Sequence, residues 1–188
     1  MAPSVTTQPK ALASSERPEL GAIYRAHAQT VARWAARLGG PLLDPEDVVQ
    51  EVFLIAQRLL PGFRGEAQVT TWLFRITRNV VRHRRRRARL WRLLRGAGDE
   101  AARQLPSQRP SPLEDLERLE AQATVYRALD AMSEKYRTAF VLFEMEGLSG
   151  QEVAALMGQR VSTIWVWLHR ARAQFLKELE RIELKANP

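Results

Sequence analysis

DPEDVVQEVFLIAQRLL, residues 44–60, and TWLFRITRNVVRHRRRRARLWRLLR, residues 71–95, are the two segments that decide the fold. In the first, Asp44 suits a helix N-cap and Pro45 suits the first helical position. Apolar residues then recur at helical spacing and form one broad face, composed of Val48, Val49, Val52, Phe53, Ile55, Ala56, Leu59 and Leu60. Opposite lies a narrower stripe that packing does not need, composed of Asp47, Gln50, Glu51, Leu54 and Arg58. We expect the carboxylates of Asp47 and Glu51 to face solvent.

The second segment predicts a strongly basic helix. It carries ten arginines between Arg75 and Arg95, and no acidic residue occurs from Ala67 to Gly98. Like charges at this density oppose folding unless a polyanion lies alongside them. A solvated helix face is the simpler alternative, but apolar residues interrupt the charges, namely Trp72, Ile76, Val80, Leu90, Trp91 and Leu94. The combined pattern favours nucleic-acid binding.

The whole chain has 188 residues, which is enough for one medium domain or two small ones. Residues 1–98 contain 17 basic and 7 acidic residues, whereas residues 99–188 contain 12 and 14, so the first half is expected to bind phosphate. The chain has no cysteine and its three histidines are scattered, so no metal and no cofactor are expected. Neither a membrane span nor a signal pattern is recognisable, and we expect a soluble cytoplasmic protein.

The order of predicted helices indicates an all-α protein with two small helical domains. Residues 1–17 are small, polar and proline-containing, and are expected to be a disordered tail. Helices at about 18–38, 44–60 and from about 70 then form a first domain, residues 18–95. Residues 96–113 contain three prolines and two glycines, which is typical of a flexible linker. The second domain, residues 114–182, is predicted to begin with helices at about 114–131 and 134–146, the latter with Ser133 as N-cap.

The second domain ends in a helix-turn-helix pattern. Ser149 and Glu152 are spaced as a capping box at the start of a short helix. Gly158 is expected to make a tight turn, and Ser162 to cap a longer helix with an inward face of Ile164, Leu168, Ala171, Phe175 and Leu179. In such motifs the second helix enters the major groove of DNA. An ordinary helical hairpin has the same spacing, but the basic helix in the same chain favours DNA binding.

Three motifs in this order resemble the extracytoplasmic-function (ECF) group of bacterial sigma factors, in the sigma-70 family. They are DPEDVVQEVF, FRGEAQVTTWLFRITRN and LSGQEVAALMGQRVSTIWVWLHRAR, and the resemblance covers about residues 19–95 and 114–180. It implies a non-enzymatic transcription initiation factor that binds core RNA polymerase and reads the minus-ten and minus-thirty-five elements of double-stranded promoter DNA. It also implies help in strand separation through the non-template single strand, and regulation by an anti-sigma factor, possibly membrane-bound.

The resemblance further implies roles for individual residues. The polymerase-docking surface is implied to consist of Asp47, Gln50, Glu51 and Leu54. The minus-ten element is implied to be read by the loop over residues 64–71 and the basic helix, through Arg64, Gln68, Thr70, Thr71, Trp72, Arg75, Arg78, Asn79 and Arg82. The minus-thirty-five element is implied to be read by the helix-turn-helix, residues 149–170, and its flank, through Arg160, Ser162, Thr163, Trp165, Val166, His169, Arg170 and Arg172.

The recognition helix departs from the family pattern at two positions. Family members commonly read G-T-V-K-S-R-L-x-R-A-R, whereas this chain has Trp165 and Trp167 in place of the lysine and the arginine. A helical wheel centred on Ile164 places Trp167 about 60° from the buried face and Trp165 about 100° away on the other flank. We therefore predict that Trp167 packs at the domain edge, while Trp165 lies beside Val166 and offers apolar contact to DNA. Phosphate contacts are then expected mainly from Arg160, Arg170 and Arg172.

Other classes of function fit the sequence less well. A two-domain transcriptional regulator could bind an operator without polymerase, but no phosphoacceptor domain or ligand-pocket pattern is recognisable. An RNA-binding protein could use the basic helix. An enzyme is least consistent with the sequence, because no nucleophile–base pair, phosphate loop or metal cluster has convincing spacing.

Overall fold

A computed structural model describes residues 19–65, 68–95 and 112–186 of the chain. These residues form helices and connecting turns without any strand, which confirms the predicted all-α class. The helices are α1 (Leu20–Gly39), α2 (Pro45–Leu59), α3 (Val69–Arg95), α4 (Pro112–Ala131), α5 (Glu134–Phe140), α6 (Gly150–Met157) and α7 (Val161–Ala186). Short 3-10 turns follow α1 and α2, and a π-helical turn, Val141–Met145, continues α5. The predicted N-terminal tail, residues 1–17, and residues 96–111 of the predicted linker lie outside the described residues, while the last two linker residues, 112 and 113, belong to α4.

Helices α1, α2 and α3 pack together as a bundle. The carboxylate of Asp44 accepts a hydrogen bond from the backbone N–H of Glu46 at 2.8 Å, so α2 begins where its cap predicts. In the core of the bundle the rings of Trp34 and Phe74 meet edge to face, with centroids 5.1 Å apart. Burying each large apolar side chain contributes about 1.5–3 kcal/mol. Those that are completely buried here are Val31, Val48, Val52, Leu73 and Phe74.

The second half of the chain packs around α7. Its buried face is largely the predicted one, formed by the fully buried Ile164, Leu168 and Ala171 and the half-buried Phe175. The Phe175 ring lies 4.7 Å from that of Phe140 at the end of α5. The helix predicted over residues 134–146 is regular only in its first half, because the chain widens into the π-helical turn after Phe140.

The helix-turn-helix is built as predicted except at the start of α7. The Ser149 N–H donates to the Glu152 carboxylate at 2.8 Å and the Glu152 N–H donates to the Ser149 hydroxyl at 3.3 Å, which completes the capping box. Gly158 ends α6 in the left-handed conformation, at φ +64°. The prediction that Ser162 caps α7 is wrong, because α7 begins at Val161 and Ser162 lies within its first turn. Ser133 does precede α5, but its side chain makes no capping hydrogen bond.

The two halves share one continuous core, which the sequence did not predict. Tyr126 of α4 packs on the turn after α1, where its hydroxyl lies 3.4 Å from the carbonyl oxygens of Ala36 and Arg37. Gly40 has φ +66° in this turn, and a Cβ there would lie 2.5 Å from the Tyr126 ring. Only glycine fits both the backbone conformation and the close approach.

Buried charges also cross the junction, in a group that we call the arginine–aspartate cluster (Arg85, Asp130 and Arg137). The Asp130 carboxylate accepts hydrogen bonds from Arg85 at 2.5 Å and from Arg137 at 2.6 Å. The same two arginines donate to carbonyl oxygens at the end of α1, Arg85 to Gly39 at 3.0 Å and Arg137 to Leu38 at 2.9 Å. These bonds satisfy terminal carbonyls that α1 itself leaves unpaired.

Burial acts against the charges of this cluster. It would raise the pKa of Asp130, but the hydrogen bond from Arg85 and the charges of Arg85, Arg137 and Arg89 hold that pKa below its usual value. Burial lowers the pKa of Arg137 to about 10, with the nearby Arg85 charge acting in the same direction and Asp130 opposing it. Arg137 therefore stays charged at neutral pH, and both arginines hydrogen-bond to the single carboxylate of Asp130.

Replacing Asp130 with asparagine should therefore destabilise the protein. The substitution keeps the size of the side chain but leaves two buried guanidinium groups without a counter-ion, and we expect unfolding to become easier by about 2–3 kcal/mol. Urea denaturation at pH 7 measures the difference. Glu120→Gln is the matched control, because Glu120 is exposed on the same helix and makes no ion pair within the described part of the chain. Its effect should stay within about 0.5 kcal/mol.

The difference should also depend on pH. Because the pKa of Asp130 is lowered in the folded state, its contribution is complete above the unfolded-state value of about 3.9 and is lost as pH falls through the folded-state value. The gap between the wild type and Asp130→Asn should thus be constant from pH 8 to pH 5 and shrink progressively as pH falls below about 4. A gap of the same size in acid as at neutral pH would contradict the assignment of the effect to the Asp130 charge.

Candidate nucleic-acid interface

The arginines of the basic helix α3 face three different surroundings, which are solvent, the junction with the second half of the chain, and α2. Arg75, Asn79, Arg82 and Arg86 follow one another at helical spacing and are all exposed. Arg85 is buried in the arginine–aspartate cluster. These positions explain how so many like charges are tolerated, because only part of them share one face.

On the side of α3 that faces α2, Arg84 contacts the polar stripe. Its Nε donates to the Glu51 carboxylate at 2.6 Å, and its Nη1 lies 3.4 Å from the Asp47 carboxylate. Glu51 is half-buried as a result, so the prediction of a free solvent-facing carboxylate is wrong for this residue. Asp47 is 61% exposed, and Gln50 and Leu54 are exposed as well. The stripe therefore presents one apolar side chain, Leu54, beside two carboxylates that Arg84 of α3 holds in place.

The segment before α3 carries the remaining residues of the predicted minus-ten reader. Trp72 is half-buried against Phe63, with ring centroids 4.9 Å apart, so it anchors the loop. Thr70 and Thr71 are half-buried, while Arg64 and Gln68 are exposed. Arg78 is also half-buried, and its Nε is enclosed without a hydrogen-bond partner among the described residues. The structure thus brings the predicted residues together along one end and one side of α3.

In the recognition helix α7, Trp165 departs from the predicted position more than Trp167 does. Trp165 is 48% exposed, but its ring lies edge to face with Phe143 at 5.5 Å and covers Gly150 at the start of α6. It therefore packs partly on its own domain. Trp167 is half-buried with the Lys135 ammonium 5.8 Å from its ring, as expected for a position at the domain edge.

The other predicted residues of this helix are mostly accessible. Ser162, Val166 and His169 are exposed, and Thr163 is half-buried. Arg160, Arg170 and Arg172 are exposed too, but Arg170 and Arg172 each hydrogen-bond to another side chain of the protein. Arg170 donates to the Tyr136 hydroxyl at 3.3 Å, and Arg172 donates to Glu144 at 2.7 Å.

The helix-turn-helix and the minus-ten residues face each other in this arrangement. A Cβ at Gly158, in the turn of the motif, would lie 3.3 Å from Nη2 of Arg75. Nearby, a cavity of about 250 Å³ is lined by Gln68, Thr70 and Thr71 on one side and by residues of α6, including Glu152 and Leu156, on the other. The second domain therefore covers part of the surface expected to read the promoter, and no periodicity in the sequence indicates this contact.

Two further features concern metal binding and membrane insertion. Within residues 19–65, 68–95 and 112–186, no group of three or more acidic, histidine or cysteine side chains is placed to hold a metal ion. In the same ranges no helix has the length and apolar character needed to cross a membrane.

Comparison with known proteins places both halves of the chain. The family model for sigma-70 region 2 matches residues 23–90, and the model for sigma-70 region 4 matches residues 122–175. The ECF RNA polymerase sigma factor SigE of Mycolicibacterium smegmatis is 32% identical over 157 residues, which is 84% of this chain and 60% of that protein. The ECF RNA polymerase sigma-E factor of Escherichia coli K12 is 32% identical over 154 residues, covering 79% of this chain and 76% of the relative.

A solved structure has the same architecture. The sigma factor RpoE of Bartonella quintana, crystallised with the anti-sigma factor NepR, superposes with a TM-score of 0.55 at 26% sequence identity. The superposition covers 84% of this chain and 94% of that chain. The two helical halves described above correspond in order to the two matched regions.

The contact between Trp165 and Gly150 allows a sharp test of the packing. Alanine is normally favoured over glycine in a helix by up to about 1 kcal/mol, but a Cβ at Gly150 would lie 2.7 Å from Cζ2 of Trp165. Gly150→Ala should therefore destabilise the wild type, by about 1–2 kcal/mol, yet be neutral or stabilising in a Trp165→Ala background. Thermal unfolding of the four chains measures this coupling. Equal effects of Gly150→Ala in both backgrounds would mean that Trp165 points away from α6 towards a ligand.

Proposed function

Because the chain belongs to the ECF group of the sigma-70 family of transcription initiation factors, we propose that it recruits core RNA polymerase through α2 and reads two promoter elements, one with each domain. The observation that carries the proposal is that different sides of α3 make different contacts. One side of this helix fixes the polar stripe of α2, while another presents Arg75, Asn79 and Arg82 to solvent.

We assign polymerase docking to Asp47, Gln50, Glu51 and Leu54. Leu54 is 54% exposed, and the polar groups around it are held in place because Arg84 orders the two carboxylates. An apolar anchor within a pre-ordered polar rim is the usual composition of a binding hot spot. Pre-ordering also reduces the entropy that association would otherwise cost.

We assign the minus-ten element to the first turns of α3 and the loop before it. Reading a base of the non-template strand requires that the base leave the stack, which costs a few kcal/mol that contacts in a pocket must offset. Thr70, Thr71 and Gln68 offer hydrogen-bonding groups beside such a pocket, and Asn79 can recognise a base edge. Arg75, Arg78 and Arg82 would hold the phosphates, with Arg64 at the edge and Trp72 anchoring the loop.

We assign the minus-thirty-five element to α7. Its exposed surface combines Val166, His169 and Ser162 with the cations Arg160, Arg170 and Arg172, and Thr163 lies beside them. Since Trp165 is held by Phe143 and Gly150, only the outer edge of its ring would be offered to a thymine methyl group. The apolar share of the contact then depends mainly on Val166.

Promoter reading by both domains would require them to separate. The turn at Gly158 lies beside Arg75, and α6 lies over Thr70 and Thr71, so in this arrangement α6 obstructs the approach of DNA to these two threonines, although Arg75 stays exposed. Binding energy from polymerase must therefore offset the loss of the contacts across the junction. A regulator that stabilises the closed form would act as an anti-sigma factor, the class of partner with which the Bartonella quintana relative was crystallised. We infer such a partner for this chain.

The docking assignment predicts that Leu54→Ala weakens binding to core polymerase. Removing an anchor side chain from the centre of the stripe should cost at least ~1.4 kcal/mol, which is a tenfold loss of affinity. Fluorescence anisotropy with labelled protein and core enzyme measures it. The matched control is Leu176→Ala, because Leu176 is a similarly exposed leucine on α7, and its affinity should be unchanged.

Charge reversal within the stripe needs a companion change, because Arg84 pairs with both acids. Asp47→Lys with Glu51→Lys should destabilise the bundle as well as the complex, whereas adding Arg84→Glu should restore stability. If the stripe contacts polymerase through its charges, the restored chain still fails to bind. Normal binding by that triple variant would refute the docking assignment.

The minus-ten assignment predicts two different effects on α3. Asn79→Ala should reduce discrimination at one base of the element by about 1–3 kcal/mol while leaving affinity for mismatched promoters unchanged. Arg82→Ala should weaken binding to all promoters alike and reduce the salt dependence by about one unit of slope. Holoenzyme binding to a panel of single-base promoter variants at several salt concentrations separates the two. An unchanged promoter ranking for Asn79→Ala would remove it from the site.

A further inference from the structure

A second cavity lies at the junction of the two domains, on the opposite side of α3 from the polar stripe. It has a volume of about 550 Å³ and lies between α3, the end of α1 and the turn between α4 and α5. We call it the seam cleft. Its lining residues are Leu38, Arg78, Val81, Arg82, Arg85, Arg86, Arg89, Leu90, Met132, Glu134, Arg137 and Thr138. Its volume is within the range of small-molecule sites, about 300–1,000 Å³.

The charges around the seam cleft do not balance. Six of its lining residues are arginines, and among the described residues two carboxylates pair with them, Glu134 in the lining and Asp130 just behind it. Asp130 is shared by Arg85, Arg89 and Arg137, while Glu134 reaches Arg82 only at 3.9 Å. Several unit positive charges in a concave, partly desolvated site attract anions strongly, because low-dielectric walls focus the field.

Two arginines of the cleft have no counter-ion among the described residues. The Nε atom of Arg78 is buried and donates no hydrogen bond to a described residue. A buried donor of this kind normally has a partner. Arg86 is exposed at the rim and makes no ion pair. The planar fork of a guanidinium group matches two oxygens of a phosphate, so these side chains are suited to a phosphate chain in particular.

We propose that the seam cleft binds an anion containing a phosphate chain, either a nucleoside triphosphate or an inorganic polyphosphate, and that the bound anion bridges the two domains. The phosphates lie against Arg78, Arg82 and Arg86 of α3 and face Arg137 of α5. The apolar part of the lining, formed by Val81, Leu90 and Met132, accepts the base of a nucleotide. This site goes beyond the proposed promoter function, although Arg78 and Arg82 belong to both, so that ligand and promoter DNA compete.

Isothermal titration of the full chain with adenosine triphosphate and, separately, with inorganic tripolyphosphate at 150 mM salt tests the site. We expect saturable one-to-one binding by at least one of them. If adenosine triphosphate binds at least tenfold more tightly than tripolyphosphate, the apolar part of the lining contacts the base. If the two bind equally, the site recognises the phosphate chain alone. Absence of saturable binding by both overturns the proposal. Because neither polymerase nor DNA is present, this failure would leave the promoter function untouched.

A matched pair of variants separates a built site from general attraction to a basic protein. Arg86 lines the cleft and the neighbouring Arg87 does not, although both are exposed and neither makes an ion pair with a residue that the structure describes. Arg86→Ala should weaken binding of the tighter probe at least tenfold, and Arg87→Ala by less than twofold. Equal weakening by the two variants would identify diffuse electrostatic attraction and overturn the site.

The bridging role has its own measurement. The chain has no cysteine, so dyes can be attached through Arg58→Cys on α2 and Lys177→Cys on α7, both at exposed positions. The measurement uses the Asp130→Asn variant, because this substitution weakens the contact between the domains and makes the cleft more positive. Addition of the ligand should then raise the energy transfer between the dyes, since the ligand draws the two domains together. Unchanged transfer at saturating ligand would overturn the bridging role.

Discussion

Beside Glu146, whose buried side chain pairs with Arg33 and Arg37 of α1, the Asp130 carboxylate is a central ionic link between the two halves of this protein. It neutralises Arg85 from α3 and Arg137 from α5, and those arginines in turn complete the hydrogen bonding at the end of α1. Such an arrangement is costly to assemble and more costly to leave incomplete, because each guanidinium must give up water before it meets its partners. The closed arrangement, in which the two halves pack together as in this structure, is therefore stabilised by specific ion pairs as well as by the apolar contacts around Tyr126.

The same helix, α3, meets three demands at once. It packs Leu73, Phe74 and Thr77 into the core, it orders the acids of α2 through Arg84, and it turns a row of cations outward. These demands are compatible because helical spacing distributes consecutive arginines over different faces. A run of four arginines, Arg84 to Arg87, consequently contains an ordering residue, a buried lock residue and two exposed cations.

Local sequence patterns predicted what local chemistry controls. The Asp44 cap, the capping box at Ser149 and the buried face of α7 appear as expected, since spacing alone determines them. The start of α7 was misplaced because a serine near a helix start can cap it or lie inside it, and only the path of the chain decides. Pairings between distant residues were missed for a different reason: nothing in the sequence links Arg84 to Glu51 or Trp165 to Gly150 until the fold brings them together. The contact between the domains belongs to this second class.

The order of synthesis gives the junction a consequence of its own. The ribosome completes α3 before the residues that cover it exist, and domains generally fold as units from the N-terminus. Until Asp130 and Arg137 have emerged, Arg85 lacks the partners that it has in the complete fold. In this early form the chain up to residue 98 carries 17 basic and 7 acidic residues, and the second half then adds 12 basic and 14 acidic ones. Attraction of nucleic acid should therefore weaken as the second half is made. A chain truncated after α3 would remain permanently in the early form.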